Sequence, residues 1–334
     1  MAKRIFKIIL VLCTLLLASG CTRGRMAEPA SPDVEHTGLF VDGTQLLTAE
    51  GEPVLLRGIN HAHCWFRNED ETAFSAIADT GANCIRIVCA SGQRWESDTA
   101  DSLAKAIERA RTLGMLAIVE VHDGTGDNDI ETLEKIGEFW CEMTDVLAGT
   151  EEYCIVNIAN EWCGSHSAGK WKKGYTQVIP TLRKAGIHNV IMVDAPGWGQ
   201  YGKAIGKYGV DIFESDPERN TMFSVHMYGF SGGSEKRIRQ NLTAATDHNL
   251  CACVGEFGYT HSDGDVKEEY LMRYCEEQKI GYLAWSWKGN SGGVEYLDLA
   301  NEWDGSVLSA EWGEQVVNGE YGIRATSKKV IGAQ

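Results

Sequence analysis

The sequence predicts an α/β protein in which eight parallel strands and their connecting helices close into a (β/α)8 TIM barrel. Short apolar runs alternate with helical patterns along most of the 334 residues. Gly114 and Gly186 stand where helices should stop before the next strand. An open doubly wound sheet is the alternative, but the segment RGINHAHCWF after the first strand lacks the Gly-rich phosphate turn of that fold.

The elements follow in order along the chain. From Gly38, DG and EG turns between apolar runs predict a short N-terminal β-hairpin. The eight predicted barrel strands are the apolar runs at Val54–Ile59, Cys84–Cys89, Leu116–Val121, Tyr153–Ala159, Val190–Val193, Met222–His226, Cys251–Glu256 and Tyr282–Trp285. Helical patterns lie between them, for example DSLAKAIERARTLG and DIETLEKIGEFWCEMTDVLAG.

Residues 1–20 form the predicted export leader, with a basic start, an apolar run and small residues before a Cys. The segment LASGC resembles a bacterial lipobox, which implies cleavage before Cys21 and lipidation of its thiol; plain cleavage near residues 18–20 is the alternative. Residues 21–36 would then be a flexible tether, and 37–334 a single catalytic domain. We expect an exported lipoprotein, on the cell surface or in the periplasm, that meets the membrane only through its lipid.

The net charge and the cysteine content exclude some classes of binding partner and of metal site. The formal net charge is -16, which argues against nucleic acid and against electrostatic docking on anionic lipid, and suits a neutral polymer. Beyond Cys13 and Cys21, the nine remaining cysteines are an odd number, so at least one is unpaired or pairs between chains. No CxxC pair pattern indicates structural zinc. We expect no metal and a monomer.

Polar and aromatic residues collect at the predicted strand ends, where a TIM barrel places its functional groups. Glu161 and Glu256 end the fourth and seventh strands, so they could face each other across the barrel mouth. Two opposed carboxylates are what glycoside hydrolysis needs, because one protonates the leaving oxygen while the other attacks the anomeric carbon or activates water. A solvated loop acid or an ion-pair partner is the alternative for each one alone.

The neighbouring residue types suit that chemistry. Arg86 could hold the nucleophile ionised, and Tyr228 could donate a hydrogen bond to it. Asn160 could bind a sugar 2-hydroxyl. The remaining candidates would supply polar walls or flat apolar faces for sugar rings, and they are His122, His226, Trp95, Trp198 and Trp285.

Two weaker signals point to metals. His61 and His63 could form a metal pair, but no third ligand has a fitting spacing. The acidic segment DGTGDND at 123–129 could bind calcium but lacks the bidentate Glu of an EF-hand loop, so we expect a solvated loop.

Eight segments follow one another along the chain, and they are RGINHAHCWF, NCIRIV, VEVHD, NIANEW, DAPGWGQY, SVHMYGFSGG, VGEFGYTHSDGDV and LAWSWKGNS. Together they resemble glycoside hydrolase family 5 of clan A, and more narrowly the bacterial endo-β-1,4-mannanases of its subfamily 8. The resemblance runs from about Gly38 to beyond Gly319 and implies a TIM barrel that needs no cofactor. The many cysteines depart from the family pattern, and Cys64 and Cys163 lie beside motif residues.

The resemblance also implies roles. Glu161 matches the general acid/base and Glu256 the nucleophile of retaining hydrolysis of internal β-1,4-mannosidic bonds. The other matching residues around the cleaved sugar are Arg86, His122, Asn160, His226, Tyr228 and Trp285. The implied partner is mannan, glucomannan or galactomannan. Two alternatives remain open: an endo-β-1,4-glucanase of the same family, and a surface lipoprotein that binds glycan without cutting it.

Overall fold

The computed structural model describes residues 25–28 and 36–332, so the leader, the lipidation candidate Cys21 and the chain end lie outside the described residues. The chain opens with a hairpin of β1 (Phe40–Asp42) and β2 (Gln45–Leu47), which turns at Asp42–Gln45 as the DG signal predicts. Within the described part of the chain, no helix has both the length and the apolar character needed to cross a membrane.

Eight parallel strands close into one barrel. These strands are β3 (Arg57–His61), β4 (Cys84–Cys89), β5 (Leu116–Val121), β6 (Cys154–Asn157), β7 (Val190–Asp194), β8 (Thr221–Met227), β9 (Ala252–Phe257) and β12 (Gly281–Ala284). Their spatial order around the barrel is β12-β3-β4-β5-β6-β7-β8-β9. A small hairpin of β10 (Thr260–His261) and β11 (Gly264–Asp265) follows β9 at the mouth of the barrel. The predicted fold class is confirmed.

Helices surround the barrel. In chain order they are α1 (Asp70–Asp79), α2 (Ala100–Thr112), α3 (Ile130–Glu142), α4 (Thr144–Leu147), α5 (Ala168–Ala185), α6 (Lys203–Ser215), α7 (Gly229–Gly232), α8 (Glu235–Thr246), α9 (Glu268–Gln278), α10 (Trp312–Asn318) and α11 (Ile323–Thr326). Gly186 ends α5 in the left-handed conformation, at φ 97°, as its glycine predicts. The helical pattern predicted over 129–149 is divided into α3 and α4 at Met143.

The core fills the barrel and the layer between strands and helices. The eight barrel strands are buried along their whole length, and several large aromatic side chains in the helix layer are fully buried, among them Trp140 and Trp171. The nine cysteines in the described residues are all free thiols, and eight of them are buried. They therefore pack as small apolar side chains rather than as cross-links.

A buried charge cluster holds together the loops that follow β3 and β4. His61 Nε2 and His63 Nδ1 lie 2.9 and 2.7 Å from the two carboxylate oxygens of Asp70, and His63 Nε2 lies 3.1 Å from Asp98. The two histidines that could have formed a metal pair are thus engaged with carboxylates. Burial alone would lower the pKa of His63, but Asp70 and Asp98 outweigh burial and raise it to about 9.

This cluster predicts a pH-dependent stability. Because the folded-state pKa of His63 exceeds its ordinary value of 6.5, its contribution is complete below about pH 6.5 and is lost as the pH rises through 9. The contribution is on the order of 3 kcal/mol. In urea unfolding, the gap in free energy between the native chain and His63→Gln should therefore shrink from pH 6 to pH 10. A gap that stays constant over this range would contradict the assignment.

Candidate active site

Strand ends bring the two predicted carboxylates together. Glu161 follows β6, and Glu256 lies near the end of β9. One oxygen of each carboxylate lies within 4.8 Å of the other and of a ring nitrogen of His226. Glu161 is 8% exposed and Glu256 is 3% exposed, and both line a cleft of about 430 Å³ at the barrel mouth. The two acids therefore face each other and remain open to a ligand.

Glu161 is placed by its own backbone. Its φ is 45°, in the left-handed region that a non-glycine residue rarely adopts. Its N–H donates to Asp194 Oδ2 at 3.0 Å, which fixes this turn against the end of β7. Its Oε1 lies 2.8 Å from His226 Nδ1, its only side-chain hydrogen bond within the described residues. The other carboxylate oxygen stays available to a ligand in the cleft.

Glu256 is held by two donors. Arg86 Nη1 donates to its Oε1 at 2.8 Å, and Tyr228 Oη donates to its Oε2 at 2.9 Å. Burial raises the pKa of Glu256, and the cations of His226 and Arg86 oppose that effect. Both hydrogen bonds favour the ionised carboxylate, since each uses a lone pair that protonation would compromise. This environment suits a nucleophile.

Arg86 is the buried hub beneath the cleft. Its Nε donates to Asn157 at 2.9 Å, Nη1 donates to Asn60 at 2.9 Å as well as to Glu256, and Nη2 donates to Asn160 at 2.8 Å and to Asp194 at 3.4 Å. All five N–H donors of the guanidinium are thus used. A buried cation is costly unless it is paired in this way. Arg86 therefore fixes Glu256 from below and does not line the cleft itself.

His226 lies between the two acids. A shift of register between Val225 and His226 in β8 places it opposite Glu256 of β9. Its Nδ1 lies 2.8 Å from Glu161 and 3.4 Å from Glu256, and its Nε2 lies 3.3 Å from Asp194. Burial would lower the pKa of His226, but Glu256 and Asp194 outweigh burial and raise it to about 10. A buried imidazolium that bridges the pair is the result.

Two aromatic side chains, His122 and Trp285, line the cleft, and Trp65 and Trp95 pack against His122. His122 stacks on Trp285, with ring centroids 5.6 Å apart and planes 21° apart, and meets the edge of Trp65 at 5.3 Å. Trp95 packs edge-on against Trp65 at 5.0 Å. His122 Nδ1 lies 2.8 Å from the buried Glu120, and burial, which would lower the pKa of His122, is outweighed by this carboxylate. Flat faces of this kind suit the C–H surfaces of sugar rings.

Trp198 also lines the cleft. It is 50% exposed and adopts a φ of 57°. Its ring lies against the backbone of Gly126, where a Cβ would overlap the indole. Asn160 lines the floor, but its amide is engaged, since its Oδ1 accepts from Arg86 and its Nδ2 donates to Thr125 at 2.9 Å.

Nine of the ten predicted residues divide into two groups, and the tenth, Trp95, is not among the lining residues and packs against Trp65. The cleft lining includes Glu161, Glu256, His122, Asn160, Trp198, Tyr228 and Trp285. Arg86 and His226 lie beneath the cleft and contact the carboxylates. The acidic loop at 123–129 has a local structural use, because Asp123 accepts from the backbone N–H groups of Ser91, Arg94 and Trp95 and so orders the loop that carries Trp95.

Sequence reasoning missed several residues of the site. Asp194 received no role, although it contacts Arg86, His226 and the backbone of Glu161. Glu120 and Asn157 are polar residues inside apolar strands, and that interruption was the available signal. The remaining lining residues are Gln200 in the loop after β7 and three residues of the β10–β11 hairpin, His261, Ser262 and Asp263.

Comparisons with known proteins agree with this geometry. Residues 47–291 match the family described as Cellulase (glycosyl hydrolase family 5). The chain is 48% identical over 291 residues to a mannan endo-1,4-β-mannosidase of Salipaludibacillus agaradhaerens, which covers 87% of this chain and 94% of the relative. It is 37% identical to a mannan endo-1,4-β-mannosidase of Streptomyces lividans, over 95% of this chain and 82% of that one.

A solved structure extends the similarity to the fold. The mannohexaose complex of a β-mannanase from Thermomonospora fusca superimposes with a TM-score of 0.82 at 35% identity, over 88% of this chain and 99% of that one. The family match covers more than half of the chain and the curated relatives cover most of it. The chain therefore belongs to glycosyl hydrolase family 5, and it is a glycoside hydrolase.

Proposed function

We propose that the chain hydrolyses internal β-1,4-mannosidic bonds of mannan-type polysaccharides with retention of anomeric configuration, with Glu161 as acid/base and Glu256 as nucleophile. The observation that carries the proposal is the approach of the two carboxylates to within 4.8 Å in an open cleft. Retaining enzymes place these groups about 5–5.5 Å apart, whereas inverting enzymes leave about 6.5–9.5 Å for a water molecule.

The first step breaks the glycosidic bond. A carboxylate oxygen of Glu256 attacks the anomeric carbon while Glu161 passes its proton to the departing oxygen, so a glycosyl ester forms and the aglycone half leaves as an alcohol. Arg86 and Tyr228 keep Glu256 ionised and oriented before the attack. Asn160 is held by Arg86 and Thr125, and the second lone pair of its Oδ1 is left to accept from a sugar hydroxyl in the cleft.

The second step releases the enzyme. Glu161, now a carboxylate, takes a proton from water, and the water oxygen attacks the anomeric carbon and displaces Glu256. His226 touches both acids, so its cation can balance whichever carboxylate carries the charge at each stage. Two displacements at the same carbon restore the original configuration.

The substrate assignment follows from relatives. The proteins of S. agaradhaerens and S. lividans are both named mannan endo-1,4-β-mannosidases, and the T. fusca enzyme was solved with mannohexaose. Their high coverage of this chain supports mannan over glucan. An endo-β-1,4-glucanase remains the alternative, because mannose and glucose differ only in the orientation of the 2-hydroxyl and the family description itself is Cellulase.

A digest of defined polymers tests substrate and mode of action together. We expect ivory-nut mannan and glucomannan to yield a ladder of oligosaccharides from the earliest times, and carboxymethyl cellulose to yield far less reducing sugar. Faster release from cellulose would overturn the mannan assignment, and release of monosaccharide alone would overturn endo action. Proton NMR of the first product should show the β-anomer before mutarotation, because retention preserves the configuration.

The location is a separate proposal. The LASGC segment supports export and lipidation at Cys21, so that the enzyme is anchored to a membrane by its lipid with residues 21–36 between lipid and barrel. Both carboxylates and the residues that hold them, Arg86, His226 and Tyr228, belong to the same chain, which supports action as a monomer. The intact mass of the membrane-extracted protein tests the anchor, since lipidation adds acyl chains to a chain that begins at Cys21.

A further inference from the structure

Residues 25–28, inside the segment predicted to be a flexible tether, lie against the catalytic domain. The guanidinium of Arg25 pairs with Asp211 at 2.7 Å and also with Glu214, both on α6. Ala27 is only 4% exposed, and its N–H donates to the carbonyl oxygen of His248 at 2.9 Å. A segment that buries a side chain and pairs its backbone is docked rather than free.

Further hydrogen bonds hold this segment on both sides. His248 Nδ1 donates to the carbonyl oxygen of Arg25 at 2.7 Å, and Asn249 Nδ2 donates to that of Ala27 at 3.2 Å. Arg219 Nη1 donates to the carbonyl oxygen of Glu28 at 2.8 Å. The carbonyl oxygens of Arg25, Ala27 and Glu28 each accept a hydrogen bond from the domain. The docking therefore depends on backbone hydrogen bonds as well as on the ion pairs of Arg25.

All these partners lie at the end of the barrel opposite the cleft. Asp211 and Glu214 are near the C-terminal end of α6, Arg219 precedes β8, and His248 and Asn249 join α8 to β9. Helix-to-strand connections lie at the amino ends of barrel strands, whereas Glu161 and Glu256 lie at the carboxyl ends. The docked segment and the carboxylate pair are thus on opposite faces.

We propose that the docked segment 25–28 orients the enzyme on the bilayer, with the amino end of the barrel against the membrane and the cleft facing away from it. The inference rests on lipidation of Cys21. Three residues lie between Cys21 and Arg25, and the four Cα-to-Cα steps from one to the other span at most about 14 Å when the chain is fully extended. A free tether over 21–36 would instead have an end-to-end distance of roughly 20 Å and would let the barrel take any orientation.

The charge at this face is compatible with a nearby bilayer. Asp211 and Glu214 would repel anionic headgroups if they were bare. Arg25 and Lys172, whose Nζ lies 3.2 Å from Asp211, together balance these two negative charges. The docking therefore removes part of the repulsion from the face it turns to the membrane, and a long polymer can enter the cleft without contacting the lipid.

Depth-dependent quenching tests the orientation. The lipidated full-length protein is reconstituted into phosphatidylcholine vesicles that carry a spin-labelled headgroup quencher. A fluorophore is attached at Glu50→Cys, in the turn after β2 at the amino end of the barrel, or at Val307→Cys, in the loop after β12 at the carboxyl end; both positions are exposed. Cys141→Ser removes the half-buried thiol, the one described cysteine that is not buried. We expect quenching several-fold stronger at position 50 than at position 307.

Two charge-reversal variants show whether the orientation depends on the docking contacts of Arg25 or only on the net charge of the segment. Arg25→Asp breaks the ion pairs to α6 and should bring the quenching ratio close to one, while hydrolysis of a soluble oligosaccharide stays unchanged because the cleft is on the opposite face. Arg23→Asp makes the same change of charge two residues nearer the lipid and should leave the ratio at the native value. Equal quenching in the native chain, or a native ratio in Arg25→Asp, would overturn the orientation.

The mass of the purified protein distinguishes the failures. If Cys21 carries no lipid, the proposed anchor and the proposed orientation are both wrong, while the proposed hydrolytic function is unaffected. If Cys21 is lipidated and the two labels are quenched equally, the orientation alone is wrong.

Discussion

Replacement of Glu256 by Ala should lower the turnover of mannan by about 10⁴- to 10⁶-fold, the range found when the nucleophile of a covalent mechanism is removed. Without this carboxylate no glycosyl ester can form, and Arg86 and Tyr228 lose the acceptor they orient. The measurement is kcat on a soluble manno-oligosaccharide. Glu268→Ala is the matched control, since Glu268 is a half-buried carboxylate on α9 that does not line the cleft, and its activity should stay near native.

Chemical rescue with azide tests whether an inactive Glu256→Ala variant is still folded. The shortened side chain leaves space for a small anion beside the anomeric carbon. With an activated aryl β-mannoside, azide should restore turnover and give the α-mannosyl azide, because a single displacement from the face of Glu256 inverts the configuration. A variant that keeps native activity on mannan, or an azide product of β configuration, would show that Glu256 is not the nucleophile.

The barrel could be predicted from the sequence because its strands are buried on both faces. Such strands appear as continuous apolar runs, and the runs at Cys84–Cys89 and Leu116–Val121 coincide with β4 and β5 at both ends. Helix boundaries are set partly by local geometry that composition does not record. The turn at Met143 that separates α3 from α4 is an example, because no Gly or Pro marks it.

The carboxylate pair could also be predicted, because the carboxyl ends of parallel strands meet at one rim. The residues beneath the cleft that hold Glu256, centred on Arg86, could not be predicted. Arg86 draws acceptors from β3, β6, β7 and β9, and that convergence exists only once the barrel has closed. The role of Asp194 could not be predicted for the same reason, because a single Asp at a strand end resembles an ordinary loop acid until its partners are in place.

The docking of residues 25–28 gave no signal in the sequence. A short polar stretch after a leader has the composition of a linker. Its order comes from contacts with residues nearly 200 positions away, such as Asp211 at a separation of 186 and Arg219 at 191. Only a tertiary structure can reveal contacts of that range.

Exchange of Glu161 for Gln should separate substrates by their leaving groups. On mannan, whose leaving group is a sugar alkoxide, kcat/KM should fall by about 10²- to 10⁴-fold, the usual value of general acid catalysis. On a 2,4-dinitrophenyl β-mannobioside the first step needs no proton, so the rate of phenol release in the pre-steady-state burst should be nearly native. Gln keeps the size of the side chain and an oxygen that can accept from His226 Nδ1, so the comparison isolates the proton.

The same variant tests the asymmetry of the pair. If Glu161 is the acid/base, its loss also slows the second step, since no base then activates water, and the glycosyl ester on Glu256 should accumulate and be visible as a mass increase on the intact protein. Azide, which needs no base, should speed turnover of the aryl substrate and give the β-mannosyl azide, opposite to the product of Glu256→Ala. Equal losses on both substrates, with no ester trapped, would contradict the acid role. The two carboxylates share His226, but Glu256 alone is fixed by Arg86 and Tyr228, and that difference in partners is why the two variants must fail in different ways.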